Sequence, residues 1–172
     1  MIYEPREDSQ LLARYVKIYA HGKVLDLGTG SGIQARTALT KTAEVLAADI
    51  NAEAVAHCKT LGIPTIQSDL FEHITETFDV IIFNPPYLPE ETTEDAESKQ
   101  ITTGGKQGNE LLERFFKEAG THLKPKGIIL FVASSLTPDI EKIMNKNGFI
   151  YTILEQEKFF FEHLTVYKAE KA

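Results

Sequence analysis

Cysteine is almost missing from this sequence. Cys58 stands alone among 172 residues, which excludes an intrachain disulfide and a cysteine-rich zinc site. A histidine ligand set is missing too: His21, His57, His73, His122 and His163 show no paired metal-ligand spacing, and each reads as a surface or packed residue. No apolar run approaches the roughly 20 residues that span a bilayer, and the first residues carry no signal-peptide core. The expectation is a cytoplasmic protein with no membrane partner. Basic charge is in deficit, with 18 Lys and Arg against 25 Asp and Glu, a net charge of −7, and no Lys/Arg cluster. That balance disfavours a broad phosphate-binding surface, and with it direct nucleic-acid binding. The excess acid gathers in Glu90, Glu91, Glu94, Asp95 and Glu97, which read as a solvated loop or as a flap that attracts a basic partner. Repeats, low-complexity tracts and linkers are absent as well. Residues 1–172 therefore read as one domain, long enough to bury about 70% of its unfolded surface, with 1–21 as a helical lead-in and 22–172 as the core.

What is present is alternation. Leu11, Leu12, Tyr15, Val16 and Tyr19 at helical spacing predict a helix over 7–19. Strands are expected at 24–27, 44–49, 63–67, 78–83 and 127–133. Between them helices are expected at 32–41, from an Asn51 cap to Leu61, at 109–122 and at 138–147. Pro64 weakens the 63–67 strand and suggests a sheet edge. Two further strands, 149–154 and 160–167, are expected around a charged turn at 155–158. Strand and helix alternate until that terminal hairpin, which argues for an open α/β sheet covered by helices on both faces.

The chain is organised around Asn84-Pro85-Pro86-Tyr87, delivered by the apolar run Phe78 to Phe83. The two prolines stop the strand, and they offer carbonyls without competing N–H donors. The Asn84 carbonyl and a main-chain carbonyl beside it can each accept one hydrogen from an –NH2 group, while Tyr87 can stack on the flat amide or base so held. In open α/β sheets ligands bind beyond the carboxyl ends of the strands, and three carboxylates fall there. Asp26 precedes the turn Gly28-x-Gly30-x-Gly32, where it suits a cation. Asp49 ends the second strand, where it suits the hydroxyls of a ribose. Asp69, in Ser68-Asp69-Leu70-Phe71, suits an exocyclic amine beside apolar Leu70. Ile33 replaces the third glycine of a dinucleotide fingerprint, which weakens a pyrophosphate reading. A ligand with a cationic end, a ribose and an adenine fits three carboxylates and no basic residue; S-adenosylmethionine is that ligand.

Taken together, Tyr3-Glu4-Pro5-Arg6-Glu7-Asp8-Ser9, Val24-Leu25-Asp26-Leu27-Gly28-Thr29-Gly30-Ser31-Gly32, Ser68-Asp69-Leu70-Phe71 and Asn84-Pro85-Pro86-Tyr87-Leu88-Pro89 resemble the HemK-type class I S-adenosylmethionine-dependent methyltransferases. The likeness is to the short archaeal and eukaryotic branch and covers nearly the whole chain; Gly104-Gly105 and Glu162 to Val166 match less distinctively. The resemblance implies a Rossmann-like sheet of seven strands, mainly parallel, with one antiparallel strand near the end. It implies a catalytic set of Asn84, Pro85, Pro86 and Tyr87. It implies cofactor contacts from Tyr3, Pro5, Asp8, Ser9, Asp26, Gly28, Thr29, Gly30, Gly32, Asp49, Ile50, Ser68, Asp69, Leu70 and Asn84. The substrate so implied is the glutamine amide of the Gly-Gly-Gln loop in a class I translation release factor. The partner is a small zinc-binding activator subunit, for which Ile63–Gln67 is the candidate edge. An adenine-N6 methyltransferase of DNA or RNA is the alternative, since Asn-Pro-Pro-Tyr is shared with those enzymes. Protein lysines as further acceptors and a non-catalytic nucleotide-sensing module also stay open.

Overall fold

The computed structural model describes residue 2, residues 4–85 and residues 108–172. Tyr3, Pro86, Tyr87, Leu88, Pro89, the acidic stretch from Glu90 to Glu97, Gly104 and Gly105 lie outside the described residues.

Within them, helices α1 (Glu7–Tyr19), α2 (Ile33–Leu39), α3 (Ala52–Thr60), α4 (Glu110–Ala119) and α5 (Ile140–Lys146) accompany seven strands. The strands are β1 (Lys23–Leu27), β2 (Glu44–Asp49), β3 (Thr65–Gln67), β4 (Phe78–Phe83), β5 (Leu123–Ser134), β6 (Phe149–Lys158) and β7 (His163–Lys171). They form one sheet in the order β3-β2-β1-β4-β5-β7-β6, parallel except for β7, which is antiparallel to both neighbours.

The run of apolar residues in β4 reflects burial on both faces: Phe78, Val80, Ile81, Ile82 and Phe83 are all inaccessible. One face packs against α1, α2 and α3 through Leu11, Leu12, Val16, Ala35, Ala38 and Cys58. The other packs against α4 and α5 through Leu112, Phe115, Phe116, Ile143 and Met144. Aromatic rings dominate this second core; Phe115 stacks on Phe83 at 4.2 Å between centroids and meets Phe116 edge-on at 5.0 Å.

Local chemistry sets most boundaries as expected. The Asn51 side chain accepts the Glu53 N–H at 2.9 Å, capping α3, and Gly62 beyond its end takes φ +75°. Thr65–Gln67 lies at a sheet edge, the strand starting just after Pro64. Two boundaries are corrected. Residues 155–158, expected as the hairpin turn, belong to β6, and the turn falls at 159–162, because a bulge between Ile153 and Glu155 lets the pairing resume toward Lys158–His163. β5 starts at Leu123 rather than 127, with Lys126 at φ +64° absorbing a register shift against β4.

Candidate active site

The strand order reverses between β1 and β4, and the residues singled out in the sequence converge at the carboxyl ends around that point. From one edge inward come Ser68, Asp69 and Leu70 after β3, Asp49 and Ile50 at the end of β2, the glycine turn after β1, and Asn84 after β4. Helix α1 brings Asp8 and Ser9 to the same place.

The glycine turn needs its glycines. Gly28, Gly30 and Gly32 take φ of +70°, +54° and +82°, a region that side chains disfavour. The turn hangs on β2, where Gly28 N–H and Thr29 N–H both donate to the Ala48 carbonyl, at 2.8 and 3.0 Å. Gly30 N–H donates to Asp49 Oδ2 and Asn51 N–H to Asp49 Oδ1, each at 2.9 Å. Each Asp49 oxygen therefore keeps a lone pair for a further donor.

Asp26 is placed differently from its expected role as an open counter-charge. It is 1% exposed, and its Oδ2 accepts from the Thr29 hydroxyl at 2.7 Å and the Ala35 N–H at 2.9 Å. The carboxylate supports the turn from beneath. Burial, aided by the Asp49 charge and opposed by those two hydrogen bonds, pushes its pKa up to about 7.

Asp69 also differs. Its carboxylate meets Arg114 of α4 at 3.1 Å, so the expectation of a site with no basic residue is corrected. The pair is half-exposed and contributes at most about 1 kcal/mol. The neighbouring turn is tight: Ser68 Oγ donates to the Leu70 carbonyl at 2.7 Å and accepts the His73 N–H at 3.0 Å, with Leu70 held at φ +48°.

Asn84 is the centre of the arrangement. Its Nδ2 donates toward Asp8 Oδ2 at 3.4 Å and Ser9 Oγ at 3.3 Å. Ser9 N–H in turn donates to Asp8 Oδ1 at 2.7 Å, and the Ser9 carbonyl accepts from Gln34 Nε2 at 2.9 Å. An anionic acceptor on the nitrogen side fixes which way the Asn84 amide faces. Its Oδ1 is buried and has no hydrogen-bond partner among the described residues; the same holds for Gln34 Oε1. A buried carbonyl left unpaired is costly, so Asn84 is built as an acceptor awaiting a donor. Pro85, buried behind it, adds a carbonyl and no N–H. Pro5 is exposed ahead of α1, and Ile50 lies 49% exposed at the rim.

Sequence reading missed Gln34, Cys58 and Arg114. Cys58 Sγ packs under the turn, 3.6 Å from the Gly30 carbonyl, and its thiol pKa is raised by burial. Gln34, a polar residue in the first turn of a helix otherwise faced with alanines, carried the one signal that pointed here. Among the described residues no group of His, Cys, Asp and Glu could hold a metal ion, and no helix is long and apolar enough to cross a membrane.

The pattern of the family described as "Methyltransferase small domain" matches residues 6–162. A Methanocaldococcus jannaschii protein, provisionally named a protein N5-glutamine methyltransferase, is 38% identical to this chain over 98% of it and 91% of its own length. Human methyltransferase HEMK2 is 28% identical over 99% of this chain and 90% of its own. A solved structure of the E. cuniculi Mtq2–Trm112 complex, responsible for the methylation of the eRF1 translation termination factor, contains a chain that aligns with a TM-score of 0.81 at 27% identity, covering 99% of both chains.

Proposed function

This chain belongs to the small-domain methyltransferase family, and from that premise we propose that it methylates the side-chain amide nitrogen of the glutamine in the Gly-Gly-Gln loop of a class I translation release factor, with S-adenosylmethionine as donor. The observation that carries the reading is Asn84, its nitrogen tied to Asp8 and Ser9 and its carbonyl oxygen buried without a hydrogen-bond partner among the described residues.

The residues present fit the cofactor. Asp49, with a lone pair left on each oxygen, takes the ribose hydroxyls. Ile50, Ser68, Asp69 and Leu70 take the adenine, Asp69 being held in place by Arg114. The backbone of Gly28, Thr29, Gly30 and Gly32 lets the ligand lie close to the turn that Asp26 supports. Asp8 and Ser9, with Pro5 ahead of them, take the amino-acid end; Tyr3, which the family resemblance adds, lies outside the described residues. Bound there, S-adenosylmethionine supplies an electrophilic methyl carbon on a sulfonium sulfur.

An amide nitrogen is a weak nucleophile because its lone pair is delocalised into the carbonyl. Asn84 Oδ1 and the Pro85 carbonyl accept its two N–H groups, hold the nitrogen in line and favour the positive charge that develops on it. With the donor bound, the nitrogen so held would take the methyl group as the carbon–sulfur bond breaks, and the amide proton would leave to solvent afterwards. A strong base is not needed beforehand. A small zinc-binding activator subunit is proposed along β3, the outermost strand on its side of the sheet; a strand added there would pair groups otherwise left to water.

The test offers labelled methyl donor and three acceptors: an intact release factor, the same factor with the loop glutamine changed to alanine, and an adenine-containing oligonucleotide. Label on the first alone supports the reading, and label on the oligonucleotide alone replaces it with adenine methylation. Asn84→Ala is expected to lower kcat about 100-fold or more, the scale of losing an acceptor used in the transition state, while calorimetry finds cofactor affinity within a few-fold. Retained turnover would remove Asn84 from its assigned role.

A further inference from the structure

The β6–β7 hairpin ends in two bare aromatic side chains. Phe160 is 91% exposed and Phe161 83% exposed, and their rings meet edge-on at 4.6 Å. They occupy the middle of the turn closed by the Phe159 N–H and Glu162 carbonyl at 2.7 Å. Turn chemistry favours Gly, Asn, Asp or Pro at such positions, so nothing local calls for two phenylalanines. Large apolar groups left in water mark interaction sites.

The tip is also held rather than loose. The Ser134 hydroxyl at the end of β5 donates to the Glu162 carboxylate. His163 N–H donates to Ser135 Oγ at 2.9 Å, and Ser135 N–H to the His163 carbonyl at 2.8 Å. The hairpin is thereby clamped to the strand next to β4.

Its location fits a partner that also reaches Asn84. Phe83 is level with Phe131 and, across β5, with Tyr167. From Tyr167 back to His163 is roughly 13 Å of strand, so the tip rises past the end of β4 on the side where Asn84 opens. It lies two to three strand spacings away, roughly 10–14 Å across the sheet. One extended residue covers at most about 3.6 Å, so a ligand touching both places is a polypeptide surface, not a lone side chain or a base.

We propose that Phe160 and Phe161 form a docking surface for the substrate protein itself, gripping its body while its glutamine loop enters the Asn84 site. This rests on the release-factor reading above. The occupant is a folded protein with an apolar patch beside its acceptor loop, because the tip and Asn84 stand at the same carboxyl end of the sheet and are too far apart for a smaller ligand to touch both. Aromatic anchors of this kind dominate binding energy when a partner covers them.

The experiment measures methyl transfer to intact release factor by the wild-type chain and by Phe160→Ala/Phe161→Ala, each with its small partner subunit. The double variant is expected to raise KM for the factor about tenfold or more, with kcat at saturation, cofactor affinity by calorimetry and Tm unchanged. Phe160→Tyr/Phe161→Tyr keeps the rings and is expected to restore KM. Unchanged KM in the alanine variant overturns the docking role while leaving the reaction assigned. Equal losses of kcat and cofactor affinity overturn it in favour of a role at the reacting centre. Loss of partner-subunit association, or binding to phosphatidylcholine vesicles that the alanine variant abolishes, overturns it in favour of that other occupant. A wild-type chain that transfers nothing to the factor removes the release-factor reading, and this inference with it.

Discussion

Asp26 keeps a carboxyl group where water does not reach, and its pH behaviour follows from that. Its folded pKa is raised to about 7, against about 3.9 for an unfolded aspartate. Between those values the folded state holds a proton that the unfolded state has lost. The group's contribution is thus greatest at and below about pH 4 and is lost as pH rises through 7, on the order of 4 kcal/mol for three units. Asp26→Asn keeps one oxygen to accept from Thr29 and Ala35 and cannot ionise. Urea unfolding at pH 5 and pH 8 is expected to show the wild type losing stability relative to the variant. Parallel changes in both chains would refute the assignment. The motif made Asp26 visible in the sequence, but its direction was not legible: a carboxylate before a glycine turn can face the ligand or the helix behind it. Here Ala35 N–H, on a helix whose first turn lacks an acidic residue, draws it inward. Asp69 was misread for a related reason, since Arg114 lies far along the chain and only packing brings the two together.

Elements were more legible than contacts. Hydrophobic period located the helices at 7–19 and 109–122, caps and turn residues located the others, and the Phe78–Phe83 run identified the central strand, because burial on both faces leaves no room for alternation. The terminal hairpin was misplaced because its register depends on a bulge that charged residues do not announce. Gly32 illustrates the difference between a motif and its cause. Read as a place where a ligand approaches, it also sits where an added Cβ would come within 3.1 Å of both Cys58 Sγ and Ile63 Cδ1, at φ +82°. Gly32→Ala is therefore expected to cost about 1–3 kcal/mol, read by urea unfolding without cofactor. A variant as stable as wild type would mean that the turn has slack. If instead the variant is destabilised and Cys58→Ala in the same chain recovers part of the loss, the crowding is located at the thiol.

At the scale of the whole molecule, the sheet has two edges, β3 and β6. β3 pairs inward through its ends: Ala47 N–H donates to the Pro64 carbonyl at 2.8 Å, and Ser68 N–H to the Asp49 carbonyl at 3.0 Å. Backbone alternation then turns the N–H groups of Thr65 and Gln67 outward. Gln67→Pro removes an outward donor, along with the exposed bond from Gln67 Nε2 to the Ile50 carbonyl at 3.0 Å, and leaves the β2 ladder intact. If the small partner subunit adds its strand there, copurification is expected to weaken at least tenfold, while the isolated chain keeps its Tm. Undiminished copurification would move that subunit to another surface.

The placement of β7 between β5 and β6, although it comes last of the three in sequence, constrains the order of assembly. Until β7 arrives, β5 offers an open flank of consecutive buried residues, Ile128 to Ala133, and β6 has nothing to join. β6 can join only through β7, and a nascent chain that has folded only as far as β5 carries a long apolar strand edge able to recruit its like from another molecule. Aggregation during synthesis, rather than unfolding of the finished protein, is where substitutions that slow formation of the 159–162 turn should first be felt.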